Sequence, residues 1–516
     1  MRACLVYPEI PNTFWSMKHI LKVIGKKALL PPLGLLTVAA MLPDKWEKRL
    51  VDLNVNQLTD MDLEWADYVF LSAMSVQEAS VREIIVRCRK AGVSVVAGGP
   101  LFTNEPEKFE DVDHLVLNEA EITLPQFLVD LERGRLQPVY KTSEYANVHH
   151  TPLPQWDLLP DLSHYHQALV QYSRGCPYSY DFCDVISLFG RIPRVKQPEQ
   201  IIAELNALED SFDYLFFADD NFIGNKKHLK AQLLPALIEW RRHRGSSITF
   251  GTQVTITLAD DAQLMELMLE AGFRQIFIGL ETPEEESLVA SRKRQNTKRD
   301  MLENVRSLHK AGFQVSAGFI VGFDTDTTDI FQRQIDFIQE SGIVLASTNL
   351  LKAPPGTELY ERMKREGRLL EEFTFNEIET NFIPQMDPDV LYAGFRNVLQ
   401  HIFSPEYVYQ RAKKFLQEYE PRITITKTGR INYGKHVGTL IRSIYLIGIR
   451  SRARYYFWKL LLWTMLTRPK LIRFAVVDAV IMHQLNNLFE SHYGTTGQKA
   501  KEHGSLEKRE LDFLQP

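Results

Sequence analysis

The chain alternates twice between short apolar runs and stretches of helical spacing, and this limits the folds open to it. In the first alternation the runs fall at 3–7, 49–53, 68–72, 93–97 and 114–117. Amphipathic segments separate them; in 76–91, Val81, Ile84, Ile85 and Cys88 recur at helical spacing. Strands that are apolar on both faces, with helices between them, predict a parallel sheet covered on both sides. Ligands of such sheets sit at the carboxyl ends of the strands. The second alternation starts at Leu169, with strands predicted to end at Tyr172, Ala218, Thr252, Gly279, Phe319 and Leu351. Helices are predicted at 198–208, 262–271 and 298–311. Six such units predict a partial barrel whose chemistry gathers at the strand C-termini. The class is α/β: a doubly wound, Rossmann-like N-terminal sheet (1–135), a Pro- and His-rich linker (136–168), a partial TIM-type barrel (169–372) and a helical C-terminal domain (373–516).

Length and composition agree with this division. At roughly 150 residues per domain, 516 residues make about three domains. With 45% hydrophobic and 24% charged residues, disorder is excluded as the main state. The net charge of −5 supplies no general basic surface, so no nucleic-acid partner is expected. Four cysteines in so long a chain point to a reducing, cytoplasmic setting. The N-terminus runs directly into a strand pattern rather than a signal peptide, and no apolar run reaches the about 18 residues of a spanning helix. Cys4 and Cys88 read as small buried hydrophobes. His149, His150, His164 and His166 read as solvated linker residues, and 241–244 as an exposed basic helix face. The aromatic, basic stretch 450–473 suits either packing on the barrel or contact with a membrane surface. The tail from Gly494 is polar and expected to fray.

The loop after the first barrel strand carries the other two thiols, Cys176 and Cys183, at a strand C-terminus. Soft thiolates are what iron–sulfur clusters require, although Cys-x6-Cys alone equally describes two ordinary thiols. In context, Gly175-Cys176-Pro177-Tyr178-Ser179-Tyr180-Asp181-Phe182-Cys183 resembles the cluster loop of radical S-adenosylmethionine enzymes, Gly-Cys-Pro-x-x-Cys-x-Phe-Cys. Cys176 matches the first cysteine and Cys183 the third; Tyr180 stands at the middle position. The resemblance implies a [4Fe–4S] cluster whose open iron chelates S-adenosylmethionine. Tyr180 departs from it, because a phenol of free pKa about 10 is a hard oxygen donor in place of a soft one.

Other motifs extend the resemblance over nearly the whole chain. Leu188-Phe189-Gly190-Arg191 and Pro193-Arg194 look like the loop's continuation. The resemblance assigns S-adenosylmethionine contacts to Asp219, Asp220 and Asn221 after the second barrel strand, Gln253 after the third, Glu281 after the fourth, and Gly318 and Gly322 around the fifth. Helix capping is the plainer role for Asp219, Asp220, Asn221 and Glu281. The N-terminal domain resembles a cobalamin-binding domain. Its strand ends carry Asp52-Leu53-Asn54, Ser72-Ala73-Met74 and Gly98-Gly99-Pro100, and Asn118-Glu119-Ala120-Glu121 partly matches a further family phrase. The resemblance therefore assigns cobalamin contacts to Asp52, Asn54, Ser72, Met74, Gly98, Gly99 and Glu119. Asn54 replaces the cobalt-ligating histidine, which implies a cofactor bound without a protein imidazole. A generic nucleotide-type domain, in which the glycines only make turns, is the plainer reading.

Together these resemblances imply a cobalamin-dependent radical S-adenosylmethionine enzyme that methylates an unactivated carbon of a small molecule or lipid. An external electron donor of flavodoxin or ferredoxin type is implied as well. The helical C-terminal extension resembles the subgroup containing hopanoid methylases, and peripheral membrane contact through 450–473 would suit a lipid substrate. The alternative is a cobalamin- and S-adenosylmethionine-binding protein whose radical chemistry is impaired by Tyr180.

Overall fold

Strand β1 (Arg2–Tyr7) is buried from Ala3 to Val6, because helices cover its sheet on both faces. This is seen in a computed structural model that describes residues 1–208, 211–370, 373, 376–422 and 433–494. The sheet continues with β2 (Glu47–Asp52), β3 (Tyr68–Ser72), β4 (Ser94–Gly98), β5 (His114–Val116) and β6 (Val139–Tyr140). Its order is β2-β1-β3-β4-β5-β6, parallel throughout, with Leu5 opposite both Leu50 and Phe70. Cys4 and Cys88 are wholly buried in the apolar layer on one face, and burial pushes both thiols up, to about 12 and about 11.

The stretch read as a linker does more than connect. It supplies β6, and its Tyr165 hydroxyl donates to Asp52 at 2.9 Å. Tyr165 also bridges Ala28, so the crossing chain is fastened back onto the N-terminal domain. A two-residue strand and isolated turns leave no periodicity to detect, which is why the sequence reads as featureless here. His149 and His150 are exposed, as expected; His164 is half-buried, and His166 packs against Tyr214, where burial lowers it to about 4, so it is not a solvated linker residue.

The second sheet is built from β7 (Ala168–Val170), then, after a small antiparallel pair formed by β8 (Ser173–Arg174) and β9 (Arg194–Val195), from β10 (Tyr214–Phe217), β11 (Thr249–Val254), β12 (Phe273–Glu281), β13 (Gln314–Val321) and β14 (Ala346–Leu350). Its order, β14-β13-β12-β11-β10-β7, is that of six successive parallel β/α units. The strands end within two residues of their predicted positions. Helices Pro198–Leu208 and Ala262–Ala271 match the sequence reading. The next begins at Met301 rather than 298, because the Asp300 side chain accepts from the Glu303 amide and caps it there. Arg241 corrects the reading of 241–244 as an exposed face: it is buried and donates to the Ile248 carbonyl, while residues 242–244 are exposed.

Helices Pro388–Phe403, Pro405–Glu418, Tyr433–Ser443, Arg454–Thr467 and Ile472–Tyr493 form the C-terminal region. The last packs along helix Lys18–Ile24, where Gln484 Oε1 accepts from the His19 and Ile20 amides at 3.0 Å each. The expected frayed tail, beyond Gly494, lies outside the described residues. Among the described residues no helix is long and apolar enough to cross a membrane.

Candidate functional site

The carboxyl ends of the two sheets face each other. The loop after β1 reaches the barrel, where Trp15 meets Phe277 of β12 edge-on at 5.1 Å. In the same loop the Phe14 amide donates to Glu377, in the segment that follows the barrel. Asn104, beyond β4, hydrogen-bonds Asp184 beside Cys183. Glu119 and Glu121, beyond β5, hold Arg174 and Arg194 on either side of the cysteine loop. The segments after β1, β4 and β5 thus all leave the N-terminal sheet at its carboxyl end and meet the barrel half there.

The cysteine loop is anchored by carboxylates. Asp219, 1% exposed, accepts from the Tyr172 amide and from both the amide and the hydroxyl of Ser173. Asp220 accepts from the Gly175 amide at 3.0 Å. Burial pushes these carboxyls up, to about 7 and about 6, against the hydrogen bonds that pull them down. Gly175 has φ +93°, and a Cβ there would stand 2.9 Å from the Gly190 carbonyl oxygen, so the two sides of the loop touch backbone to backbone.

Cys176, Tyr180 and Cys183 come together at this mouth. The Tyr180 phenol is pushed up by burial and then by the charges of Cys176, Glu281 and Cys183. Burial raises both thiols, that of Cys183 to about 12, while the Lys293 ammonium pulls them down. Lys293 lies 4.1 Å from the centre of the Tyr180 ring and is paired with Glu281. Gln295 donates to the Tyr180 hydroxyl, and the Tyr178 and Phe182 rings both stack with the Tyr180 ring, their centres 6.2 and 5.9 Å away. The mouth offers two soft donors and one hard donor. The thiols fit a cluster, and the phenol is where the donor set departs from three thiolates. Among the described residues no group of three His, Cys, Asp or Glu side chains is placed to hold a metal ion.

The other residues expected to contact S-adenosylmethionine divide into two sets. Asp219 and Asp220 spend their oxygens on the loop backbone, and Glu281 spends one on Lys293. Glu281 has φ +67°, a strained conformation for a side chain of this size. Gly322, with φ +100°, makes a turn in which its amide donates to Asp326. Asn221 differs from these: its amide is buried with no nitrogen or oxygen partner, and it faces the Cys176 thiol, which it pulls down by a hydrogen bond. A buried amide with this much unused hydrogen-bonding capacity suits a polar ligand such as the amino-acid end of S-adenosylmethionine. Gln253 is exposed at the end of β11. A Cβ on Gly318 would come 2.9 Å from the Phe277 ring, so the glycine leaves that ring free to line the barrel interior.

On the facing sheet, a Cβ on Gly98 would stand 2.5 Å from the Val116 oxygen, and one on Gly99 (φ +91°) 2.6 Å from Ser72 Oγ. The two glycines thus let the end of β4 pack directly on the Val116 carbonyl and Ser72, which leaves a strand end without side-chain bulk that would fit a large planar cofactor approached by backbone. Met74 stands exposed at the adjoining strand end. Asn54 turns inward instead, donating to Pro8 and Asp52 and accepting from the Ile10 amide. Asp52 is taken up by Asn54 and Tyr165. Glu119 binds Arg194 with both oxygens and accepts from the Ala146 amide, so it ties the two sheets together.

Sequence reasoning missed Lys293 and Gln295, which reach Tyr180 only because the barrel folds them there. It also missed Glu377 and Lys352, which interact across the end of β14. Burial raises Glu377 to about 7 and lowers Lys352 to about 8. A cavity of about 670 Å³ opens beside the loop between Asp181, Arg292, Phe323, Leu351 and Arg362.

Comparison with known proteins agrees with this architecture. Residues 23–128 match the B12 binding domain, 170–338 the Radical SAM superfamily and 357–496 a domain of unknown function, DUF4070. An uncharacterized methyltransferase of Synechocystis sp. is 39% identical over 89% of this chain and 86% of its own length. The hopanoid C-2 methylase of Rhodopseudomonas palustris is 34% identical over 89% of this chain and 88% of its own. Among solved structures, the methyltransferase TsrM of Kitasatospora setae, with cobalamin and a [4Fe-4S] cluster bound, superposes with a TM-score of 0.60 at 13% identity, over 86% of this chain and 99% of that one. The cobalamin-dependent radical enzyme OxsB gives 0.59 at 15% identity, over 96% and 81%. These likenesses favour the enzyme over the alternative of a binding protein that has lost its chemistry. The chain belongs to the cobalamin-binding radical S-adenosylmethionine enzymes, in the group that includes the hopanoid C-2 methylase.

Proposed function

We propose that this chain methylates an unactivated carbon of a lipid-like substrate lying between the two sheets. The observation that carries the reading is the opposition of the strand ends, with the bulk-free end of β4 at Gly98 and Gly99 on one side and the Cys176–Cys183 loop on the other. Cobalamin, S-adenosylmethionine and a [4Fe–4S] cluster would supply methyl transfer and radical generation when bound. Cys176 and Cys183, with Tyr180 at the third corner, would hold the cluster. Asn221 would meet S-adenosylmethionine, and Gly98, Gly99, Ser72 and Met74 would seat cobalamin.

The chain's own residues provide position and dryness. Asp219 and Asp220 fix the loop, and Lys293 supplies a positive charge beside the donors. Phe277 and Trp15 give the gap an aromatic wall suited to an apolar substrate. The name of the hopanoid methylase relative supports a lipid over a polar metabolite. An external flavodoxin- or ferredoxin-type protein would supply electrons, and the basic C-terminal helices would meet the membrane where such a substrate resides.

The test is anaerobic reconstitution followed by incubation with methyl-labelled S-adenosylmethionine, a reductant and a lipid extract. Label in one lipid species by mass spectrometry is the expected result; label in none overturns the reading. Iron content compared with Tyr180→Cys addresses the third corner. The variant is expected to gain iron, and equal, full clusters in both would show that the phenol serves as well as a thiolate.

A further inference from the structure

A surface helix should be apolar toward its support and polar toward water. Helix Arg454–Thr467 is not. Phe457, Leu460, Leu461 and Thr464 pack inward, while Tyr455, Trp458, Leu462, Met465 and Leu466 form a second apolar stripe that faces out. Leu466 is 84% exposed and Leu462 55%. The preceding turns, Ile444–Ile449, add Tyr445 and Ile449, both exposed. The two stripes join where the Trp458 indole donates to the Gly448 carbonyl at 2.9 Å. So large a continuous apolar face on a folded chain marks a contact surface.

Charge identifies the partner. Between Leu440 and Val477 the chain has eight Lys and Arg and no Asp or Glu, although the protein as a whole is acidic. Arg450, Arg452, Arg454, Lys459 and Lys470 are exposed around the apolar face. Lys459 lies over the rings of Tyr409 and Tyr455, and Arg450 over Tyr445, so cations and aromatics interleave. Opposing charge comes from Glu490, 3.7 Å from Arg452, and from Glu406, which hydrogen-bonds the Tyr456 hydroxyl. Exposed leucine, methionine and tryptophan inside a basic collar complement an anionic bilayer, with acyl chains at the centre and headgroups at the rim.

We propose that the face formed by Ile444–Ile449 and Arg454–Thr467 docks the protein on anionic membranes, lying in the interface without crossing it. The proposal rests on the lipid-substrate reading for its purpose, and on the exposed residues alone for the docking.

The test is sedimentation of the full chain with vesicles of phosphatidylcholine containing about one-third phosphatidylglycerol, beside vesicles of phosphatidylcholine alone. The wild-type chain is expected to pellet with the anionic vesicles and to be released by salt. Leu462→Glu/Leu466→Glu, at exposed positions, is expected to bind at least about tenfold more weakly with an unchanged melting temperature. Lys470→Glu/Arg450→Glu is a second variant that leaves the apolar stripe intact, and it should abolish the preference for anionic vesicles. Wild-type chain remaining in the supernatant, or both variants pelleting like wild type, overturns the proposal. So does a dimer in light scattering that Leu462→Glu/Leu466→Glu dissolves while vesicles bind nothing, which would assign the face to a second copy. Methylation of detergent-dispersed lipid, measured on the same samples, separates the two ideas. Vesicle binding without lipid methylation removes the substrate reading and leaves the docking in place.

Discussion

The two halves of the candidate site are built on opposite plans. At the barrel mouth, nearly every polar group near the cysteines is already engaged: Asp219 and Asp220 on backbone amides, Glu281 on Lys293, Tyr180 on Gln295. Across the gap, the strand ends offer absence of bulk, with two glycines, a serine and an exposed methionine. The difference follows from what each half has to hold. A cluster is held by a few directional bonds, so its donors need a fixed loop. A large cofactor held by its face and edges needs a smooth recess.

Breaking the tie between the halves should have the largest effect. Glu119→Ala takes the bidentate carboxylate from the half-buried Arg194, which keeps the Ala146 and Phe189 carbonyls, and unpairs the Ala146 amide; it is expected to cost about 3–4 kcal/mol in urea unfolding. If the cost falls below 1 kcal/mol, the contact does not join the sheets.

Glu121 sharpens the same point through pH. Burial alone would raise its carboxyl, but hydrogen bonds and charge from Arg174 outweigh burial and bring it down from 4.5 to about 2. The folded state therefore binds this proton less readily than the unfolded state. Its stabilising contribution, about 3 kcal/mol by proton linkage, is complete above pH 4.5 and lost as pH falls through about 2. Denaturant midpoints measured down this range should fall, and Glu121→Gln should flatten that part of the curve.

The recess can be tested without touching the loop. Gly99→Val places a branched side chain against Ser72 at a φ that only glycine adopts readily. Cobalamin retention, read from visible absorption, is expected to fall at least about tenfold, equivalent to about 1.4 kcal/mol, while iron content stays the same. Loss of both would show that the halves are not separable. The smallest effect is expected from Asn54→Ala. It leaves the Ile10 amide without its partner, while Gln77 still donates to the Pro8 carbonyl at 2.6 Å; it costs about 1 kcal/mol and should leave bound cobalamin in place.

Much of the fold was legible because long runs with a single period dominate it. Helices Pro198–Leu208 and Ala262–Ala271 and the six barrel strands follow from spacing alone. Strand β6 escaped because two residues carry no period, and its pairing depends on β5 being beside it. In the site, the motifs marked the right positions but not the groups they would engage. Asp219 is a mouth carboxylate, yet its oxygens face the Ser173 and Tyr172 amides, which sequence spacing cannot reveal. Lys293 is one of three successive cations in Arg292-Lys293-Arg294, and only the barrel's curvature brings it over Tyr180.

The Tyr165 hydroxyl on Asp52 and the Glu119–Arg194 clasp fasten the crossing chain and the flank of the cysteine loop to the N-terminal domain at two separate points. Moving one half of the molecule away from the other would break charge-assisted hydrogen bonds at both points at once, so the relative placement of the halves is fixed by polar contacts that sit outside either hydrophobic core.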